Sequence, residues 1–464
     1  MIKNKYIDLV EQTFYFPRHG YDVRNGNLFF HDLNLMEIVK EYGTPLKLTY
    51  LPKIGSQIQV AKDLFAKAIE KHKYKGKYHY CYCTKSSHFK FIIEECLKSD
   101  VDLETSSAFD LDIIKSLHKD GRFPIHKKII CNGYKTDSYI KGMVELVQMG
   151  FENLVCVLDN TDEIDLLDSM CPVPIKIGIR VATEEEPNFS VYTSRLGMSS
   201  KKILRLYNQK IKDNPKFTLK MMHFFVNSGI KDTTFYWSEL TRLVNVYCDL
   251  RQECNTLDWF DIGGGMPIYN SLGVEHNYEY MIEQIVMIIQ YICDEKDVPE
   301  PDIFTEFGSF TVGESGATLY KIVGQKQQND KELWYMIDSS FITTLPDTWG
   351  IGQKFILLAL NHWQREFQRI NLGGLTCDGQ DFYNSDSHTN QVFMPKLHHD
   401  EELYMGFFHT GAYQESLGGY GGIQHCLIPA PKHIIIDKNE KGEHTFKLFN
   451  KEQTPESMLK ILGY

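Results

Sequence analysis

No stretch of this chain approaches the roughly 18 consecutive apolar residues of a membrane-spanning helix. The opening Met1–Asp8 has no apolar stretch followed by small residues, so a secretory signal is not expected. Low-complexity tracts and obvious linkers are missing as well. Positive charge is in short supply: 50 Lys and Arg face 61 Asp and Glu, a formal net charge of −11. That balance argues against a nucleic-acid-binding surface. Cysteine is present, eleven in all, but not in metal-site spacing. Cys81 and Cys83 point the same way from one strand, and no second close pair completes a zinc site, so they read as core residues. Without a signal, the cysteines suggest reduced thiols and a cytoplasmic location. His398-His399 lies in a polar, acidic loop and reads as solvated.

What is present is a repeating pattern. At 464 residues the chain is long enough for two or three domains, each with its own core. From Tyr78 onward, short apolar or β-branched runs alternate with charged amphipathic stretches of helical period. The runs are Tyr78–Thr84, Val101–Thr105, Lys128–Cys131, Leu154–Leu158, Ile175–Val181, Leu219–Val226, Leu257–Ile262 and Ile303–Glu306. Strands alternating with helices imply parallel pairing. Eight such units match a closed (β/α)8 barrel, with an open doubly wound sheet as the alternative. After Glu306 the runs become shorter and turn-rich, which predicts mainly antiparallel β structure. The first 45 residues are expected to join it. The expected domains are therefore a barrel over 46–309 and a β domain over 1–45 plus 310–464.

Several motifs sit where such a barrel keeps its chemistry. Lys85 ends the first run and presents an amine at the C-terminal mouth of a strand, where it could form a Schiff base with a carbonyl compound; a plain strand-end lysine is the alternative. Asp261-Ile-Gly-Gly-Gly265 follows the seventh run, and its glycines would let backbone N–H groups approach a phosphate. A tight turn is the other reading. Glu306 ends the eighth run and could pair with a protonated pyridine nitrogen. Gly373–Asp381 sets Cys377 beside Asp378 and near Asp381, a thiol that could act as an acid or nucleophile with carboxylates that could grip a cation. Taken alone, that stretch reads more readily as a buried cysteine beside turn aspartates. In Gly406–Tyr413, a tyrosine hydroxyl could bond a phosphate, or the run is β-domain core.

These pieces, in this order, resemble the fold-type III, alanine-racemase-like, pyridoxal-phosphate-dependent decarboxylases of basic amino acids. The resemblance spans Tyr42-Gly-Thr-Pro45 to Gly411-Ala-Tyr413. Cys131–Lys135, Leu345–Gly350 and Gly411–Glu415 look most like the arginine branch. It implies that Lys85 carries the cofactor and that Glu104 lies close to it. Arg180, Ser228, Gly263, Gly264, Gly265, Glu306 and Tyr413 would surround the cofactor. Cys377 would be the catalytic acid, and Asp378, or Asp381, would recognise the substrate's distal cation. In the family the cysteine loop completes the site of a neighbouring subunit, which implies a homodimer at least.

Two departures stand out. Phe225 occupies the place of a histidine that stacks on the cofactor ring, and Ser309 the place of a phosphate-contacting arginine. The implied activity is decarboxylation of a basic L-amino acid, with arginine to agmatine, a step toward polyamines, favoured. Ornithine, lysine, diaminopimelate and carboxylated polyamines are the alternative substrates. A racemase or a binding homologue without cofactor is the alternative class. The long bacterial arginine enzymes bring an association with Mg2+, weakened here by the shorter chain. No membrane or nucleic-acid partner is expected.

Overall fold

A computed structural model describes residues 4–18, 20–184 and 194–464. The chain forms two compact units, and neither is continuous in sequence. One comprises residues 54–267 and 277–311, the other residues 1–53, 268–276 and 312–464.

The first unit is a closed barrel of eight parallel strands. They are Tyr78–Cys83, Asp102–Thr105, Ile129–Cys131, Leu154–Leu158, Ile175–Val181, Phe217–Phe224, Trp259–Asp261 and Asp302–Phe307. All eight expected runs become barrel strands in chain order, and Asp302–Phe307 closes the ring on Tyr78–Cys83 with Glu306 opposite Cys81. Both faces of each strand are covered, which is why they read as unbroken apolar runs. Cys81, Ile130, Val155, Met221, Trp259 and Phe304 fill the interior. The packing leaves no slack at Gly178, where a Cβ would lie 3.1 Å from Val157 Cγ2 and 3.3 Å from Met221 Cβ.

The intervening helices begin at side chains that satisfy their first free amides. Thr136 accepts from Tyr139 N at the helix Asp137–Gln148, Thr233 from Tyr236 N at Thr234–Glu253, and Asn277 from Tyr280 N at Tyr278–Glu295. No helix among the described residues is long and apolar enough to cross a membrane.

The second unit is built on a mixed ten-stranded sheet and a three-stranded sheet (Tyr21–Arg24, Asn27–Phe30, Leu33–Asn34). Most pairings are antiparallel, but Leu46–Tyr50 runs parallel to Lys432–Lys438, and Glu332–Ile337 parallel to Phe367–Gly373. Leu46–Tyr50 also pairs antiparallel with Gly316–Asn329. That pairing moves the expected boundary at residue 46: this strand belongs to the β unit, because its backbone groups are satisfied from both sides there. Residues 268–276 likewise fall in the β unit rather than the barrel. The core of this unit centres on Trp363, Phe408, Tyr335 and Ile434, all fully buried.

Candidate active site

The chemistry-bearing side chains of the barrel unit gather at the C-terminal ends of its strands, where (β/α)8 barrels place their active sites. Lys85 lies in a single 3-10 turn, Thr84–Ser86, directly after the first strand. Thr84 fixes that turn by donating from its hydroxyl to Glu104 O (3.0 Å) and Asp110 Oδ1 (3.2 Å). The Lys85 amine pairs with Glu104 Oε2 at 2.6 Å and lies 3.4 Å from Cys83 Sγ. Glu104 is fully buried, whereas the Lys85 side chain is 42% exposed, so the amine is reachable from outside and its counter-ion is not.

From Glu104 the polar contacts continue across the mouth. Glu104 Oε1 accepts from Ser106 Oγ (2.9 Å) and from Asn132 Nδ2 (3.1 Å). Asn132 Nδ2 also donates to Glu306 Oε1 (2.6 Å), and Glu306 Oε2 meets His223 Nε2 at 3.1 Å. Five strands thus contribute to one line of contacts, from Lys85 to His223. Asp261, opposite His223 in the sheet register, accepts from Gly263 N at 2.8 Å. Its Oδ2 is buried without a partner among the described residues.

The two neighbouring carboxylates are driven apart. Burial pushes Glu306 up, but the charge and hydrogen bond of His223, aided by Lys85 and Asn132, outweigh it and hold Glu306 at about 2. Burial, reinforced by the charge of Glu306, pushes Asp261 well above the usual carboxylate range. The site therefore favours the charged form of Glu306 and disfavours that of Asp261.

Arg180, on the fifth strand opposite His223, is only 9% exposed. Burial lowers its guanidinium from the usual value, and Asp159, Glu306 and Glu104 oppose that shift. Phe225 and Ser228 follow the sixth strand and are half-buried. Ser309 stands just past the eighth strand, at the start of the short helix Ser309–Val312.

The glycine turn is shaped by close approach. Gly265 has φ +93° and Gly229 φ +83°, and a Cβ on Gly265 would lie 2.7 Å from Gly229 Cα. A Cβ on Gly264 would lie 2.5 Å from Glu306 O. These contacts bring the loops after strands six and seven onto strand eight, and only glycine permits them. The N–H groups of Gly264 and Gly265 donate to no acceptor among the described residues.

The remaining expected residues lie in the β unit. Tyr413 precedes the short helix Gln414–Leu417 with φ +68°. Cys377 and Asp378 occupy an exposed turn after the strand Phe367–Gly373. Asp381 behaves differently from Asp378. It is 4% exposed, and its carboxylate accepts from Phe341 N (2.8 Å), Ile342 N (3.4 Å), Thr376 N (3.3 Å) and Thr376 Oγ1 (2.7 Å). Those donors occupy both oxygens, so Asp381 holds the loop, whereas the more exposed Asp378 accepts from Gln380 N at 2.7 Å and lies 3.7 Å from His425 Nε2.

Sequence reasoning gave no site role to Asn132, His223 or Asp261 and read Cys83 as a core residue. Their one shared signal is position, a polar or thiol side chain at the C-terminal end of a barrel strand.

A lysine amine with a buried carboxylate beside it, an ionised acid across the mouth, a buried guanidinium and two unengaged glycine amides fit a phosphorylated aldehyde cofactor. The two groups of three candidate metal ligands among the described residues, Cys83–Glu104–Glu306 and His223–Asp261–Glu306, both lie in this mouth and include Glu306. Neither is the all-oxygen set that Mg2+ takes.

A lysine amine and an ionised acid at a barrel mouth are the groups that pyridoxal phosphate chemistry requires. Residues 56–313 match the pyridoxal-dependent decarboxylase, pyridoxal binding domain, family, and the chain belongs to it. It is 21% identical to a biosynthetic arginine decarboxylase of Vibrio vulnificus, over 93% of this chain and 86% of that protein. It is 23% identical to the chloroplastic arginine decarboxylase 1 of Arabidopsis thaliana, over 89% and 74%. Among solved structures, the biosynthetic arginine decarboxylase of Campylobacter jejuni superposes with a TM-score of 0.81 at 20% identity, covering 100% of this chain and 91% of that one. Diaminopimelate decarboxylase of M. jannaschii with L-lysine gives 0.77 at 15% identity, covering 94% and 95%.

Proposed function

We propose that this protein removes the α-carboxylate of a basic L-amino acid as CO2, with arginine, giving agmatine, as the substrate. The observation that carries the chemistry is the line Lys85–Glu104–Asn132–Glu306–His223 across the barrel mouth. The choice of arginine is supported by the arginine decarboxylases among its relatives.

When bound, pyridoxal phosphate supplies the electron sink into which the breaking Cα–carboxylate bond discharges. Lys85 Nζ would hold its aldehyde, and Glu104, 2.6 Å away, would take and return the amine's proton. Glu306 holds a proton at the ring nitrogen, and Asn132 and His223 hold Glu306 in place. The amides of Gly264 and Gly265 and the Ser228 hydroxyl would bind the phosphate, with Gly263 shaping the turn, Tyr413 as a further phosphate contact and Arg180 as a nearby cation. Phe225 offers the ring an apolar face that cannot titrate. Cys377 Sγ returns a proton to Cα, and Asp378 binds the guanidinium. These two residues act on the site of a second copy, so the enzyme works as a homodimer or a larger assembly. Its free thiols suit a reducing, cytoplasmic setting.

The test is release of labelled CO2, with product identification, from arginine, ornithine, lysine and diaminopimelate in the presence of pyridoxal phosphate. Agmatine formed faster than any other amine supports the proposal. Faster turnover of ornithine or lysine would reassign the substrate. Inversion at Cα without CO2 would replace decarboxylation by racemisation.

A further inference from the structure

Of the eleven cysteines, nine are buried, and the two exposed ones face each other. Cys377 Sγ and Cys426 Sγ are 3.7 Å apart, although 49 residues separate them in sequence. The neighbouring side chains are matched too, with His425 Nε2 lying 3.7 Å from Asp378 Oδ2. The pair His425-Cys426 is thus laid against the pair Cys377-Asp378. The backbone that achieves this is unusual. Cys426 and Leu427 both sit in the left-handed region, at φ 52° and 53°. Two consecutive non-glycine residues there are strained and persist only where the surroundings impose them.

We infer that Cys377 and Cys426 are an oxidative modification site, a dithiol that closes to a disulfide on meeting a small disulfide and so switches the enzyme off. The proton-donor role of Cys377 rests on the function proposed above; the pairing itself does not. A bond at about 2.05 Å requires the sulfurs to approach by about 1.7 Å, a movement within the reach of two exposed side chains.

The exchange balances. The Cys426 thiolate attacks one sulfur of the small disulfide, expelling a first small thiolate and leaving a mixed disulfide on Cys426. Cys377, having lost its proton, then attacks Cys426 Sγ, forms the Cys377–Cys426 bond and expels the second thiolate. Two protein thiols are oxidised by two electrons, the small disulfide is reduced to two thiols, and the two S–H protons end on the expelled thiolates. The closed form has no S–H at position 377. The neighbouring thiol already bears on this proton in the reduced form, because its hydrogen bond and charge raise the Cys377 thiol above its ordinary value. Joint capture of a metal by this cluster is disfavoured, since the two converging groups of candidate ligands among the described residues both lie at the barrel mouth.

The full-length protein, treated with oxidised glutathione, blocked with an alkylating agent and mapped by peptide mass spectrometry, tests the inference. The expected result is a linked Cys377–Cys426 peptide pair, lighter by two hydrogen atoms than the reduced pair. Turnover should be lost as the link forms and regained with dithiothreitol. Cys426→Ser should give no linked pair and a glutathione adduct on Cys377. Separate glutathione adducts on Cys377 and Cys426, with no link, would overturn the inference and leave the proposed function standing. A linked pair with full turnover would overturn the switch, and with it the donor role given to Cys377.

Discussion

Replacing Asp381 by alanine separates the two roles a carboxylate in this loop could have. Four donors converge on it, two of them at 2.8 and 2.7 Å and two at 3.3 and 3.4 Å. Hydrogen bonds to a charged group contribute about 1.5–3 kcal/mol each, so the two short ones alone amount to about 3 kcal/mol or more. Removing the acceptor also leaves the buried Phe341 amide unsatisfied, which brings the expected loss to about 3–5 kcal/mol. Asp381→Asn keeps an oxygen for Phe341 and should cost roughly half as much. The assay is guanidinium unfolding followed by circular dichroism, with kcat and KM measured on the same samples. Alanine should lower the unfolding midpoint and reduce kcat, because the turn carrying Cys377 and Asp378 loses its hold. An unchanged midpoint with a large rise in the KM for arginine would refute the reasoning and make Asp381 a substrate ligand.

The paired carboxylates give a prediction of opposite signs. Glu306 lies near 2 when folded, below its unfolded value, so its stabilisation is present above pH 4.5 and is lost as pH falls toward 2. For so buried a group this amounts to about 3 kcal/mol. Glu306→Gln should therefore be less stable than the parent at pH 7, with the gap closing under acid in denaturant titrations at several pH values. Asp261 is shifted upward, so its contribution is favourable only below its unfolded value and turns unfavourable as pH rises toward neutrality. Asp261→Asn, which mimics the protonated side chain, should match or exceed the parent in stability at pH 7. Glu306→Gln should also lower turnover by about 10²-fold or more while cofactor absorbance remains. Gly265→Ala, forced against Gly229 at φ +93°, should cost about 1–3 kcal/mol and weaken cofactor binding, read by absorbance titration.

The eight barrel strands were legible because a parallel strand covered on both faces must be apolar throughout, and helices of regular period separate one run from the next. Lys85 and Glu306 were legible for a related reason, as charged residues at the ends of such runs, whereas Glu104 was reached only through the family resemblance. Asn132 and His223 were not, since a polar residue near a strand end gains meaning only once barrel closure brings it to Glu306. The β unit was harder. Leu46–Tyr50 gives no sign that its partners lie some 270 and 390 positions away. Tyr404–Phe408 carries Gly406, which the packing demands because a Cβ there would lie 2.9 Å from Leu319 Cδ2, yet which interrupts the run as a strand signal. Asp381 was readable as a carboxylate near a thiol, but not as one turned back onto the amides of Phe341 and Ile342.

The central claim is that the amine at the mouth of the first barrel strand carries the cofactor. Borohydride reduction of the cofactor-loaded protein, followed by peptide mass mapping, tests it most directly. The account predicts a stable pyridoxyl adduct on Lys85, and neither adduct nor turnover in Lys85→Ala. An adduct on another lysine, or full turnover in Lys85→Ala, would contradict it.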